Sequence, residues 1–130
     1  MIVDTSFLID LLRGDEAAVT KAEELEKQNA GYALPSPAVY ETWIGLTRDG
    51  GSVEEKEELL DILRSQPVRG LNKEEAQDAA ELQQELIDSG DRINHIDALI
   101  AGIARRADSE ILTADTDEFD RVEGLDIETY

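Results

Sequence analysis

Four acidic side chains stand where the sequence predicts a strand end or a helix start: Asp4, Glu41, Asp97 and Asp115. The carboxyl ends of parallel strands meet at one edge of an α/β sheet, so these acids are expected to share a crevice. Clustered carboxylates repel one another and cannot all stay ionised unless a cation neutralises them. Because the chain has no cysteine and one histidine, the oxygen ligands favour Mg²⁺ or Mn²⁺ over zinc. Such an ion serves phosphate chemistry, where it activates water and stabilises the leaving oxygen.

Each acid also has a purely structural interpretation. Asp4 can cap the helix that follows it, and Glu41 is a favourable acid near a helix N-terminus. Asp115 lies in the segment "TADTDEF", and turns rich in Asp and Thr are common because these side chains hydrogen-bond to the nearby backbone. Asp97 reinforces a helix start, but the apolar stretch "ALIAGIA" after it brings this acid close to the core, where a carboxylate needs a partner or a metal. The set of four is therefore more specific than any of its members.

The elements that must position these acids alternate between short apolar strands and amphipathic helices. Strands are predicted in "IVD", "GYAL", "VRGL", "EILT" and "GLDIETY". Helices are predicted from Ser6 to a stop at Gly14, over residues 15–29, from Ser36 to Gly50, from Ser52 to about Ser65, from Asn72 to Gly90, and through "NHIDALIAGIARRA". The expected caps are Ser36, with Pro37 at the first helical position, a capping box in "SVEE", Asn72 and Asn94. This alternation predicts an α/β fold with a parallel sheet covered on both faces.

The third predicted helix carries an apolar stripe that includes both Tyr40 and Trp43. These two aromatic side chains are expected to pack in the core. Glu41 lies on the rim of the stripe, and a purely solvating glutamate would more often lie further round the helix.

Composition indicates a single domain over residues 1–130 with enough apolar residues for a core. Thirty-one acidic and twelve basic residues give a net charge of −19, and only four of the cations are lysine. An evenly acidic, lysine-poor surface is typical of a halophilic cytoplasm, and it argues against a broad basic patch that recruits nucleic acid. Asp4 interrupts any signal peptide, and "ALIAGIA" is too short to span a membrane, so a cytoplasmic location is expected.

Five segments in chain order resemble the PIN-domain ribonucleases, in particular the virulence-associated protein C toxins of toxin–antitoxin pairs: "MIVDTSFLIDLL", "SPAVYETWIGL", "HIDALIAGIA", "ILTADTDEF" and "RVEGLDIETY". The resemblance runs from residue 1 to 130. It implies a three-layer α/β/α sandwich, a homodimer, a cognate antitoxin and metal-dependent cleavage of single-stranded or looped RNA. By this resemblance, the family's acidic metal site corresponds to Asp4, Glu41, Asp97 and Asp115, with Thr113 as the accessory hydroxyl and Asp117 as an alternative to Asp115.

Other functions use similar residues. A housekeeping RNA-processing nuclease would share the same site, and a small antitoxin reading frame beside the gene would favour the toxin. Haloacid-dehalogenase-type phosphatases need a second Asp where this chain has Ser6, and receiver domains need a late Lys, whereas none follows Lys73. A non-catalytic module whose acids bind a basic partner peptide is the remaining alternative.

The cations that could meet RNA phosphates are Arg13, Arg48 and Arg92, and their spacing does not rank them. His95, the single histidine, is assigned a capping or packing role rather than an RNA contact.

Overall fold

The structure is a computed structural model that describes residues 1–130. Its strands are β1 Ile2–Val3, β2 Leu34–Pro35, β3 Val68–Arg69, β4 Ile111–Leu112 and β5 Ile127–Glu128. Its helices are α1 Thr5–Leu12, α2 Glu16–Lys27, α3 Ser36–Arg48, α4 Val53–Ser65, α5 Lys73–Asp88 and α6 His95–Arg106, with a 3₁₀ turn at Phe119–Arg121. Every predicted element is present, although each strand is only two residues long. No helix is long and apolar enough to cross a membrane.

All five strands run in parallel. β1 pairs with β4 and β4 with β5, while β2 pairs with β3. Ala33 joins the two groups, because its carbonyl accepts from the Val3 amide at 3.1 Å and its own amide donates to Met1 at 2.9 Å. The strand order is therefore β3-β2-β1-β4-β5, which confirms the predicted parallel sheet.

The central strands are the most deeply buried part of the chain. Ile2, Val3, Ile111 and Leu112 are all at most 1% exposed, as expected for strands covered by helices on both faces. The three-layer α/β/α arrangement is thus confirmed. Because β1 lies between β2 and β4, their carboxyl ends deliver residue 4, the start of α3 and residue 113 to one edge of the sheet.

Helix α6 packs against α5 at very close range. A Cβ added to Gly102 would lie 2.8 Å from the Ala79 Cβ, closer than two such atoms can approach. The small residues of "ALIAGIA" therefore let the two helices pack tightly. This packing fixes the position of α6, and with it the direction from which Asp97 enters the sheet edge.

Two of the predicted helix caps form as expected. The Asn94 side chain accepts from the Ile96 amide at 2.8 Å at the start of α6. Ser52 and Glu55 form the capping box of α4, since the Glu55 amide donates to the Ser52 hydroxyl and the Ser52 amide donates to the Glu55 carboxylate. These interactions depend only on residues close in the chain, which is why the sequence predicts them.

Of the two other predicted caps, the one at Ser36 is wrong and the one at Asn72 is confirmed in position only. Ser36 is the first helical residue of α3 rather than its cap, because the extended backbone of Pro35 both ends β2 and holds the cap position. Asn72 occupies the cap position of α5, but its side chain makes no capping hydrogen bond.

The two aromatic side chains of α3 are also not in the core. Tyr40 is 61% exposed and Trp43 is 37% exposed. Helix α3 buries Pro37, Ala38, Thr42 and Leu46 instead. The face of α3 that packs inward is therefore the one with small residues, which allows a close approach to α1 and α6.

Candidate functional site

A cleft of about 360 Å³ opens at the edge of the sheet where β1, β2 and β4 end. Its walls come from α1, α3, α6 and the segment after β4. The acidic side chains on these walls are Asp4, Glu41, Asp97, Asp115 and Glu118. The structure thus brings together the four acids predicted from the sequence, and it adds a fifth.

Asp4 follows β1 directly and is nearly buried. It caps α1 by accepting from the Ser6 amide at 2.9 Å, and it also accepts from the Ser6 hydroxyl at 3.0 Å. A third donor is the fully buried hydroxyl of Thr113. Burial raises the pKa of Asp4 even though these three donors lower it. The capping role and the position on the cleft wall are therefore both real, and one does not exclude the other.

Thr113 connects the ends of β1 and β4. Its hydroxyl donates to Asp4 and accepts from the Asp115 amide at 3.0 Å. The side chain thereby holds the Asp4 carboxylate in one orientation and begins the turn that carries Asp115. This geometry fits the accessory hydroxyl role, which stays a prediction.

Asp97 lies in the first turn of α6 and carries the most strongly perturbed carboxyl group of the site. Burial raises its pKa to about 8, helped by a hydrogen bond with Glu118 and by the charges of Glu118, Asp4 and Glu41. The burial of Asp97 and the acids around it thus favour the protonated form of its carboxyl group.

Glu118 is the site residue that the sequence analysis missed. It precedes the buried Phe119 in the 3₁₀ turn, and its carboxylate accepts from the Asn94 amide at 3.2 Å. It therefore contacts the start of α6 as well as Asp97. The sequence feature that could have identified Glu118 is the adjacent Phe119, whose buried ring attaches the segment after β4 to the core.

Glu41, Asp115 and Asp117 differ in how they meet the cleft. Glu41 is half-buried one turn into α3, and its charge contributes to the raised pKa of Asp97. Asp115 is exposed on the cleft wall, and its charge contributes to the raised pKa of Asp4. Asp117 is exposed and not on the wall, and its amide donates to the Asp115 carboxylate at 3.3 Å. Of the two alternatives for the fourth acid, Asp115 is the one that reaches the cleft.

The residues of the cleft fit a hard divalent cation. The side chains that could ligate an ion are mainly carboxylates and hydroxyls, and a bound cation would offset the neighbouring negative charges that help to raise the pKa of Asp97. No three acidic or histidine side chains are arranged around a common point in this conformation. Ion binding would therefore require these carboxylates to move closer together.

We expect Asp97→Asn to raise the melting temperature in chelator at pH 8. A carboxyl group whose pKa is raised in the folded state loses stabilisation as pH rises from its ordinary pKa, about 4, to its folded value. For Asp97 this window ends at about 8. The neutral amide lacks this penalty, so the difference between variant and wild type should be largest at pH 8 and vanish near pH 4. Thermal melts in chelator across this range measure it.

The exposed Asp126, changed to Asn, is the matched control because it is remote in sequence and makes no side-chain hydrogen bond or ion pair. Its melting temperature should follow that of the wild type at each pH. Added Mg²⁺ should stabilise the wild type and remove the advantage of Asp97→Asn. A variant that melts below the wild type at pH 8 in chelator would contradict the expected repulsion.

Comparison with known proteins identifies the domain. The family model "PIN domain" matches residues 1–125. Among curated proteins no significant match was found. Several solved structures are similar to this chain in fold. In VapBC2 from Rickettsia felis bound to a promoter DNA fragment, a chain is 23% identical, with coverage of 99% of this chain and 97% of that chain and a TM-score of 0.83.

Two further solved structures are similar to this chain in fold. DNA-bound VapBC from Salmonella typhimurium contains a chain 20% identical, with coverage of 98% and 96% and a TM-score of 0.80. VapBC-1 from nontypeable Haemophilus influenzae contains a chain 18% identical, with coverage of 98% and 96% and a TM-score of 0.77. The TM-scores show that the fold is shared, and the family match over nearly the whole length gives the assignment: the chain belongs to the PIN domain family.

Proposed function

We propose that this chain is a metal-dependent endoribonuclease that hydrolyses phosphodiester bonds in single-stranded or looped RNA. Mg²⁺ is the proposed ion, and Mn²⁺ is the alternative. One observation carries the proposal: acids from four separate parts of the chain converge on a single cleft at the carboxyl edge of the sheet. Membership of a nuclease family supports it.

The residues that would hold the ion are Asp4, Glu41, Asp97 and Asp115. When bound, the ion supplies a water of lowered pKa and stabilises negative charge on the leaving oxygen. Hydrogen bonds from Ser6 and Thr113 already fix the orientation of the Asp4 carboxylate. No side-chain freedom of Asp4 therefore has to be lost when an ion binds.

Burial and the charges of neighbouring acids raise the pKa of Asp97 and favour its protonated form. A cation in the cleft would favour the ionised form, in which Asp97 could serve as a ligand. Glu118 accepts a hydrogen bond from the Asn94 amide and so would stay at the start of α6 beside Asp97. Ile9 and Phe119 provide the apolar walls that limit water around the acids.

The experiment is incubation of the pure protein with an unstructured RNA and a hairpin RNA, in Mg²⁺, Mn²⁺ or chelator. We expect internal cuts with either ion and none in chelator. Protein prepared identically with Asp97→Asn controls for contaminating nucleases. Absence of cleavage in both ions would contradict the proposed activity and favour a non-catalytic acidic module.

We further propose that the chain acts as a homodimeric toxin restrained by a cognate antitoxin. Support comes from the similar folds, which are found in VapBC assemblies and in a toxin–antitoxin complex from Klebsiella pneumoniae. The acidic cleft suits an arginine side chain, whose planar fork pairs with carboxylates. The exposed Tyr40 and Trp43 offer aromatic surface for subunit contact on α3.

We expect a small protein encoded beside the gene to copurify with this chain and suppress its cleavage of RNA. The acidic cleft should bind a basic side chain of that protein in competition with metal and RNA. Coexpression, affinity purification and a cleavage assay of the complex test this. The control is a partner whose arginines are changed to alanine, which should inhibit less. Unchanged cleavage and growth arrest on coexpression would count against the toxin assignment and leave the nuclease intact.

A further inference from the structure

Acids outnumber bases in this chain by 31 to 12. The four salt bridges of the structure use Lys21, Arg64 and Arg106 as their cations, and the other nine cations, Arg92 and Arg121 among them, take part in none. What distinguishes Arg92 and Arg121 is that they contact each other next to residues of the acidic cleft wall.

Arg92 and Arg121 form a cluster with His95, which we call the basic cluster. The Arg121 guanidinium donates to the backbone carbonyl of Arg92 at 3.0 Å. A guanidinium nitrogen of Arg92 lies 2.8 Å from the Nε2 atom of His95. A guanidinium can only donate, so Nε2 is the acceptor in this contact. These contacts use one donor atom of each arginine and leave the other nitrogens of both forks available.

The basic cluster flanks the acidic cleft. Asn94, between Arg92 and His95 in the chain, lies on the cleft wall. Glu118 lies on the same wall, and its backbone carbonyl accepts from the Arg121 amide at 3.1 Å. The carboxylate of Glu118 accepts from the Asn94 amide at 3.2 Å, which ties the two segments together. The basic cluster therefore adjoins the cleft through Asn94 on the segment of Arg92 and through Glu118 on the segment of Arg121.

The other arginines considered as phosphate contacts lie elsewhere. Arg13 lines a separate cavity of about 260 Å³. Arg48 is in the last turn of α3 and seven residues after Glu41, about 10 Å further along the helix axis. Arg92 ranks first among the three because it is two residues from Asn94 on the cleft wall. Arg121 also lines a second cavity, with Glu85, Asp91 and Glu123, and it is its contact with Arg92 that places it in the basic cluster.

We propose that the basic cluster binds a phosphate of the RNA strand adjacent to the scissile one and so aligns the strand across the acidic cleft. This inference rests on the proposed nuclease function. Phosphate oxygens accept pairs of hydrogen bonds from the planar guanidinium fork, and here one fork is held at the Arg92 backbone and the other at His95. A chain of net charge −19 repels RNA at long range, so a local cationic contact is required to set the register of binding.

The test compares steady-state cleavage by wild type, Arg92→Gln, Arg121→Gln and the double variant. Arg64→Gln is the matched control, because it removes an equal charge from an exposed arginine whose partner, Asp61, lies on the same helix. In ~0.1 M KCl we expect KM of the double variant to rise about tenfold or more with kcat changed less than about twofold. The control should show the wild-type KM and kcat. Arg92→Lys, which keeps the charge and loses the fork, should fall between wild type and Arg92→Gln.

Salt provides a second readout that a merely structural role would not produce. Screening shortens the Debye length from about 10 Å at 0.1 M to about 3 Å at 1 M. The ratio of variant to wild-type KM should therefore decrease as KCl increases. Circular dichroism melts verify that the variants are folded, and the single variants stand in for the double variant if it is not.

The outcomes separate this inference from the proposed function. Cleavage by the wild type with unchanged KM in the folded variants would overturn the role of the basic cluster and leave the nuclease standing. A loss confined to kcat would overturn it as well, since binding would then be unaffected. No cleavage by the wild type in Mg²⁺ or Mn²⁺ would overturn both.

Discussion

Asp97→Asn is expected to reduce kcat for RNA cleavage by about 10³-fold or more while preserving the fold. The exchange keeps the size of the side chain and removes the charge at the point where the carboxyl group is most perturbed. Loss of the ion removes both water activation and charge stabilisation, and a deficit of about 4 kcal/mol in the transition state corresponds to about 10³-fold in rate. Asp4→Asn should cause an equal loss, because Asp4 lies on the same wall and its orientation is fixed by Thr113.

The two aspartates of the turn after β4 give this prediction its internal control. Asp115 lies on the cleft wall and Asp117 does not, so Asp115→Asn should lose activity and Asp117→Asn should keep most of it. All variants are assayed with the same RNA after circular dichroism shows native helix content. A folded Asp97→Asn protein that cuts RNA at the wild-type rate would show that the proposed site is wrong.

Molar KCl is expected to raise the melting temperature by several degrees relative to ~0.1 M, with cleavage retained. A net charge of −19 on 130 residues opposes the compact state through self-repulsion. In ~1 M salt the Debye length is about 3 Å, so most surface charges no longer interact. Each kcal/mol recovered corresponds to about 4 °C for a chain of this size. Direct contacts to an ion in the cleft are screened much less, which is why we expect cleavage to persist.

Neutralising part of the surface separates screening from other effects of salt. Glu23, Glu57 and Glu81 are exposed and make no ion pair or side-chain hydrogen bond. Their triple change to Gln should raise the melting temperature in low salt and reduce the further gain in KCl. A thermal melt and a cleavage assay over one salt series measure both properties. A melting temperature that is flat or falls with salt would contradict adaptation to a high-salt cytoplasm and would not affect the assignment of the acids.

The sequence by itself determined the kind and order of the elements. Alternating short apolar runs and amphipathic helices predict the parallel sheet, and the caps at Asn94 and Ser52 mark where α6 and α4 begin. These features follow from contacts within a few residues of the chain, so they are legible from local patterns. The rule that parallel strands end at a common edge then predicted that Asp4 and Asp97 would meet, and both line the cleft.

Only the tertiary structure decided which side chains complete the site. Glu118 lies near Asp97 because the segment after β4 folds back onto the start of α6, and the sequence spacing of these residues does not predict that contact. Tyr40 and Trp43 match the apolar period of α3, yet α3 packs through Pro37, Ala38, Thr42 and Leu46 and leaves both aromatic rings exposed.

The basic cluster likewise depends on a contact between Arg92 and Arg121, which are far apart in the chain. Local sequence patterns encode hydrogen bonding and burial along one element, whereas the convergence of distant side chains depends on strand order and helix packing.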